Sequence, residues 1–279
     1  MSRASSYSLA PSRPPPARTA PLSVGVPFAL RSISSFPVSA LDNLTKMPQQ
    51  RTLTYMNIAV IIPAYNEGPR LQKALEEVLP LYPLTVVVDD GSRDDTALYA
   101  RQAGAYTLRH TINRGQGAAI QTGVDFAIQK LHADIVVHFD ADGQMNPHEI
   151  ADIIAPLLQN RADIVFGSRF LGKKSNMPLM RRIILRASLV FTWLVSGIPV
   201  SDTHCGFRAL SREGAQKARF TLDRFAHASQ IFDLVRIHRL RFAECPVTIT
   251  YTQDTYGKGM HLLGGFVVLK DFFKHKFFG

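Results

Sequence analysis

Asp140 and Asp142 stand one residue apart at the end of an apolar run, Ile135-Val136-Val137-His138-Phe139, and are followed by Gly143-Gln144. A buried strand that ends in two carboxylates delivers hard oxygen ligands to a divalent cation at its carboxyl end. The pattern recurs upstream, where Thr85 to Val88 runs into Asp89-Asp90-Gly91-Ser92. Two strands ending in acidic turns place a site above a parallel sheet, where open α/β folds bind ligands. The chemistry expected is that of an enzyme acting on a charged, metal-bound substrate. The structural alternative is a pair of polar turns, since Asp and Gly are common loop residues. A calcium loop counted from Asp140 would need Gly at its sixth position and Glu at its twelfth, and the chain has Met145 and Ala151 there. Gly115-Gln116-Gly117-Ala118-Ala119-Ile120 lacks the third Gly of a dinucleotide fingerprint, and no Gly-Lys-Ser/Thr phosphate loop occurs.

From Asn57 onward, strands and helices alternate. Strands are expected at Ile58 to Ile62, Thr85 to Val88, Tyr106 to Arg109, Ile135 to Phe139 and Ile164 to Phe166. Helices are expected after Pro69, over Asp94 to Ala103, from Gly117 to about Leu131, and after Pro147. This alternation predicts a single α/β domain with a mostly parallel, doubly wound sheet flanked by helices. Beyond Gly172 the pattern loosens, with helices near Leu179 to Ser196, Ser211 to Ala218 and His227 to Leu240, then a strand from Ala243 to Tyr251.

Residues 1–55 differ in kind from the rest of the 279-residue chain, being rich in Ser, Pro and Arg with Asp42 as the only acid. Such a stretch buries too little apolar surface to offset its ordering entropy, so it is expected to be a disordered leader outside a domain spanning 56–279. Its composition resembles a transit peptide, and a true start at Met47 or Met56 is the alternative. Six basic residues against one acid put half of the formal charge of +10 in this leader, and the rest favours anionic partners. Cys205 and Cys245 form no Cys-x-x-Cys pair, which fits a reducing compartment. No charge-free apolar run of about 18 residues occurs, because Ile183 to Val200 contains Arg186. The C-terminal Phe266 to Phe278 mixes Phe with Lys as an amphipathic helix, which either packs on the core or lies on a bilayer surface.

Six ordered motifs carry a resemblance. They are Val60-Ile61-Ile62-Pro63-Ala64-Tyr65-Asn66-Glu67, Val88 to Thr96, Asn113-Arg114-Gly115-Gln116-Gly117, Asp140 to Gln144, Gly167-Ser168-Arg169 and Cys205-Gly206-Phe207-Arg208. Over about Asn57 to Lys258 the chain resembles family 2 glycosyltransferases, most of all the branch of dolichyl-phosphate mannose synthases and bacterial polyprenyl-phosphate transferases. The resemblance implies a Rossmann-like GT-A fold, a nucleotide-sugar donor of the GDP-mannose or UDP-glucose type, Mg²⁺ or Mn²⁺, and inversion at the anomeric carbon.

The resemblance also implies roles. Pro63, Tyr65 and Glu67 would line the nucleoside pocket, and Asp90 would accept from the base with support from Asp89. Gln116 and Ala141 would complete the donor site, Asp140 and Asp142 would hold the metal, and Gln144 could add a ligand. Arg169 and Arg208 would grip phosphate because a guanidinium fork matches its oxygens. Arg181 and Arg182 could extend that patch or form a solvated basic face. Lys258 occupies the place of a loop that closes over the diphosphate, although the Arg of the mannose synthases is missing there. A hydroxyl acceptor needs a general base whereas an ionised polyprenyl phosphate does not. Asp202 is the one carboxylate placed to be that base, and its structural alternative is to anchor the acceptor loop or orient Arg208. The chain lacks the Gln-x-x-Arg-Trp motif of processive synthases. The expected activity is hexose transfer to a polyprenyl phosphate by a cytoplasmic protein, peripheral on the membrane face or bound to a membrane protein, with no nucleic-acid partner. Transfer to a sugar hydroxyl and a non-catalytic sugar-nucleotide-binding subunit are the alternatives.

Overall fold

The computed structural model describes residues 56–172, 197–221 and 227–250, together with Leu189 and Trp193. The expected leader, Arg181, Arg182, Lys258, most of the helix expected near Leu179 to Ser196 and the C-terminal amphipathic segment lie outside the described residues.

Strand β1 (Ile58–Ala64) leads through a short loop to helix α1 (Gly68–Val78), and β2 (Thr85–Asp89) leads to α2 (Thr96–Gln102). β3 (Tyr106–Arg109) is followed by α3 (Gln116–Gln129), and β4 (Ile135–His138) by a 3₁₀ turn at Pro147–Glu149 that runs into α4 (Ile150–Leu158). β5 (Ile164–Ser168), β6 (Arg208–Ser211), α5 (Arg212–Lys217), α6 (His227–Ile237) and β7 (Phe242–Pro246) complete the described elements. The sheet order is β3-β2-β1-β4-β6-β5-β7. β1 runs parallel to β2 and β4, with Ala64 opposite Asp89 and Ile61 opposite His138. β6 runs antiparallel to both neighbours, with Ala209 facing Val137 on one side and Val165 on the other. The expectation of a mostly parallel sheet therefore holds. β6 itself was not expected, because four residues opening with Arg show neither alternation nor a long apolar run.

The central strands are near-continuous β-branched runs because helices cover both faces of the sheet. On one face α1 buries Leu71, Leu75 and Val78 and α4 buries Ile150 and Ile153, against Val60, Ile62 and Val137. On the other, α3 buries Ala119, Ile120 and Val124 and α6 buries Ile231 and Phe232, against Ile61, Val86, Val136 and Phe166. The i, i+3, i+4 spacing of these residues makes each helix amphipathic, and each fully buried Leu or Ile contributes about 1.5–3 kcal/mol. Two boundaries moved for local reasons. α2 starts at Thr96 and not at Asp94, since the Asp94 carboxylate accepts the Thr96 N–H (3.1 Å) ahead of the first turn. β7 stops at Pro246, short of Tyr251, because its partner β5 ends at Ser168, whose carbonyl accepts the last rung from the Val247 N–H at 3.0 Å.

Strand order reverses between β1 and its neighbours β2 and β4, so their carboxyl ends open a crevice at a topological switch point. The acidic turns noted in the sequence lie at this edge.

Candidate functional site

At the β1 end, Asn66 adopts a positive φ of 53°. Its N–H donates to Ser92 Oγ and its Oδ1 accepts from the Arg93 N–H, both at 2.9 Å. This ties the Pro63-Ala64-Tyr65-Asn66-Glu67 loop to the turn after β2 and leaves the Tyr65 ring 42% exposed above it. Glu67 pairs with Arg70 Nη1 at 3.0 Å at the start of α1. Asp89 is fully buried, and its Oδ1 accepts the Ser92 N–H at 2.8 Å. Arg109 Nε lies 3.0 Å from Asp89 Oδ2 as an ion pair, off the direction of a hydrogen bond. Asp90 is also buried. Its Oδ1 faces the Arg114 N–H (2.9 Å) and His110 Nδ1 (2.7 Å), and its Oδ2 accepts the Gly115 N–H (2.6 Å). Asp90 thus shapes the loop that opens α3.

Gln116, the first residue of α3, donates from Nε2 to Asp140 Oδ1 at 3.1 Å. Asp142 Oδ1 accepts the Gln144 N–H at 3.0 Å, and Ala141 is buried between the two carboxylates. Burial, and then the Asp142 charge, push the Asp140 carboxyl up to about 7, although part of its surface still opens on the crevice. Arg208 and Arg169 pull it the other way. Asp142 is raised too, chiefly by burial, with Glu67 adding to the rise. Among the described residues no group of three or more His, Cys, Asp or Glu gathers around a metal position. The donor set still fits a hard divalent cation that takes its remaining oxygens from a diphosphate, because such an ion relieves the repulsion between two crowded carboxylates.

Gly206 is what lets the opposite loop approach. A Cβ there would sit 2.6 Å from Asp140 Oδ2. The carboxylate is the mobile end of a side chain, so Gly206→Ala is expected to leave the melting temperature nearly unchanged. It should weaken Mn²⁺-dependent nucleotide binding by roughly tenfold or more, since the ligand is turned away. Calorimetry checks this, and unchanged Mn²⁺-dependent affinity would show that Asp140 does not hold the ion.

The arginine side of the crevice differs from expectation. Arg169 follows β5 and is clasped by Asp202, with Nε to Oδ2 at 2.6 Å and Nη2 to Oδ1 at 2.7 Å. The Arg169 backbone N–H also donates to Asp202 Oδ2 and the His204 N–H to Oδ1, both at 3.1 Å. An ionised carboxylate offers about four acceptor positions, and these four donors fill them. Asp202 is therefore not poised as a general base, and it orients Arg169, not Arg208. Its fork also occupies two of the Arg169 N–H groups expected to grip phosphate. Next to this pair, Ser168 Oγ and Ser201 Oγ lie 2.6 Å apart, and Ser201 donates from N and Oγ to Glu244 Oε1 (2.7 Å each). Nothing in the sequence signalled this clamp.

Arg208 is buried on β6. Its Nε donates to the Cys205 carbonyl at 3.1 Å, and its guanidinium lies 5.8 and 5.9 Å from the Phe166 and Phe232 ring centres. Burial lowers its pKa, while Cys205, Asp140 and Asp202 oppose that change. Burial pushes the Cys205 thiol up to about 12, so it is an inert packing group. The loop from Asp202 to Arg208 thus carries the partner of Arg169, the carbonyl anchor of Arg208, and the glycine beside Asp140.

Residues 59–219 match the model of Glycosyl transferase family 2. The chain belongs to this family. It is similar to the UDP-N-acetylglucosamine dolichyl-phosphate N-acetylglucosaminyltransferase of Methanococcus voltae, 29% identical over 76% of this chain and 92% of that protein. It is also similar to the polyprenol monophosphomannose synthase of Mycolicibacterium smegmatis, 30% identical over 77% of this chain and 83% of that one. Among solved structures, glucosyl-3-phosphoglycerate synthase from Mycobacterium tuberculosis in complex with Mg²⁺ and uridine diphosphate superposes with a TM-score of 0.57. The identity is 20%, with 80% of this chain and 79% of that one covered. The sheet, its flanking helices and this likeness establish the GT-A fold expected from the motifs.

Proposed function

We propose that this family 2 glycosyltransferase moves a hexose from a nucleotide diphosphate sugar to a polyprenyl phosphate, with inversion at the anomeric carbon. The observation that carries the reading is the Asp140–Asp142 pair at the end of β4, faced across the crevice by the loop that anchors Arg169 and Arg208. Asp140 and Asp142 would hold Mg²⁺ or Mn²⁺, with Gln144 beside them. Such an ion, when bound, acts as a Lewis acid that neutralises charge on the departing diphosphate. Gln116 orients Asp140 through its 3.1 Å hydrogen bond. Tyr65 offers a face for the base, and Pro63, Glu67, Asp89, Asp90 and Ala141 shape the donor pocket. Arg208 supplies positive charge from the crevice wall, with Arg169 held in place by Asp202; Arg181, Arg182 and Lys258 would extend the basic surface.

Two facts favour a phosphate acceptor over a hydroxyl. Asp202 has its acceptor positions filled, and an ionised phosphate needs no proton removed. The two named relatives act on dolichyl-phosphate and polyprenol monophosphate chemistry by their names. No helix among the described residues is long and apolar enough to cross a membrane. The contact proposed with the lipid is peripheral, from the cytoplasmic side.

Purified protein should transfer labelled sugar to a short-chain polyprenyl phosphate in the presence of Mn²⁺, and Asp142→Ala should abolish transfer with the fold intact by circular dichroism. Near-wild-type turnover by Asp142→Ala with the metal chelated would overturn the metal assignment. Transfer to a sugar alcohol but not to the lipid phosphate would overturn the acceptor.

A further inference from the structure

Asp140 and Asp142 are each fastened by a different residue of their own turn. The ladder from β4 to β1 ends where the Phe139 N–H donates to the Ile61 carbonyl at 3.0 Å, so the next amide, that of Asp140, lies beyond it. This N–H donates to the Met145 thioether, with N to Sδ at 3.3 Å. Sulfur is a weak acceptor, but a buried N–H left unmet costs more than a weak bond gains. Asp142 is held by the preceding residue of the turn, since its Oδ1 accepts the Gln144 N–H at 3.0 Å. Gln144 and Met145 are thus the points from which both carboxylates are set. These two are held in turn from outside, by the segment that follows β7. The Gln144 carbonyl accepts the Thr250 N–H at 2.9 Å, and Met145 forms an antiparallel bridge with Ile249. The segment is itself pinned twice, by the Thr248 N–H on Glu149 Oε2 (2.8 Å) and by the Val247 N–H on the Ser168 carbonyl (3.0 Å). Met145 and Ile249 are 5% and 6% exposed and share a core cluster with Phe139, Ala141, Phe207 and Val247.

We propose that Met145 is a positioning residue of the cation site, and that residues 247–250 are the strap that holds it there. The thioether fixes the Asp140 backbone and with it the aim of the Asp140 carboxylate. This rests on the reading of Asp140 and Asp142 as ligands of a divalent cation. Met145 supplies no oxygen to that ion and acts through Asp140 alone. Met is flexible by itself, but packing on all sides and the bridge to Ile249 restrict its rotamers. Groups that orient metal ligands commonly set the affinity for the ion by ten- to a hundredfold. A residue that merely filled the core would set the stability of the fold and leave that affinity alone. Gln144 contributes by its backbone at both ends, the N–H towards Asp142 and the carbonyl towards the strap.

Two variants of the full chain test this. Met145→Leu keeps volume and apolar character and removes the acceptor. Thr250→Pro, at an exposed position, removes the N–H that reaches Gln144 and leaves Met145 in place. Each is titrated by calorimetry with uridine diphosphate and guanosine diphosphate, with and without Mn²⁺, and its metal-free melting temperature is recorded. The wild-type chain should bind at least one nucleotide in the presence of Mn²⁺, and both variants should bind it about tenfold or more weakly. The loss should be confined to the Mn²⁺-dependent part of the affinity, whatever the change in melting temperature. Met145→Leu that keeps the wild-type Mn²⁺-dependent affinity would make Met145 a core residue only and overturn the inference. Should Met145→Leu fail to fold, Thr250→Pro decides, and unchanged Mn²⁺-dependent affinity there would overturn it equally. Failure of the wild-type chain to bind either nucleotide with Mn²⁺ would overturn the cation site on which the inference rests.

Discussion

Asp202→Ala is expected to destabilise the protein by about 3–5 kcal/mol, the usual consequence of leaving one member of a buried ion pair uncompensated. The side chains of Arg169 and Asp202 are 5% and 1% exposed, and the fork between them is bidentate. Removing Asp202 also strips the acceptor from the Arg169 and His204 backbone N–H groups. The consequence for activity is indirect: Arg169 loses its orientation and the loop to Arg208 loosens. A double variant, Asp202→Leu with Arg169→Met, should recover much of the stability, because an apolar pair of similar volume often replaces a buried ion pair without loss. It should recover no transfer. Urea unfolding of Asp202→Leu, Arg169→Met and the double variant, analysed as a double-mutant cycle, gives the coupling directly. Asp202→Ala that unfolds within about 1 kcal/mol of wild type but is inactive would return Asp202 to the role of a chemical base.

What the sequence made legible was local. Strands β1, β2, β4 and β5 announced themselves because residues buried on both faces of a covered sheet must be apolar throughout, whereas β3 is an edge strand with exposed Tyr106 and Arg109. Tyr106 to Arg109 was placed to the residue. The acidic strand ends were legible for the same reason, since the change from Val to Asp marks where the chain leaves the core. The pairing of Arg169 with Asp202 was not, because it joins residues 33 positions apart through a segment with no periodicity. The same holds for β6, whose partners β4 and β5 precede it by a long connection. A charged residue opening a strand in mid-sheet contradicts every local cue, and Arg208 is tolerated there because Phe166 and Phe232 flank its guanidinium. His110 was illegible as well: a lone His after a short strand carries no mark of its two partners, Asp90 and Thr122.

Asp140→Asn should make the metal-free protein more stable at neutral and alkaline pH and remove Mn²⁺-dependent transfer entirely. Burial first, and the neighbouring Asp142 second, raise the Asp140 carboxyl from 3.8 to about 7. For a raised carboxyl, the unfolded chain gives up its proton near 3.8 while the native chain holds it until about 7. The favourable balance is thus fully present below the unfolded value and is lost as the pH climbs through the folded one. Each unit inside that window is worth at most about 1.4 kcal/mol, and the part of the carboxylate that opens on the crevice reduces this. A gain of about 1–3 kcal/mol for the amide at pH 8, shrinking to nothing near pH 4, is the expected pattern. Asparagine keeps an oxygen for the Gln116 amide, so the packing there should survive. Mn²⁺ with a nucleotide diphosphate should reverse the order, stabilising the wild-type chain by mass action and leaving Asp140→Asn unmoved. Thermal unfolding of both proteins across pH, with and without the ion, reads all of this. A metal-free Asp140→Asn less stable than wild type at pH 8 would mean that the native carboxylate is held charged by Arg208 and Arg169, and that the crevice is built around an ion pair and not around a cation.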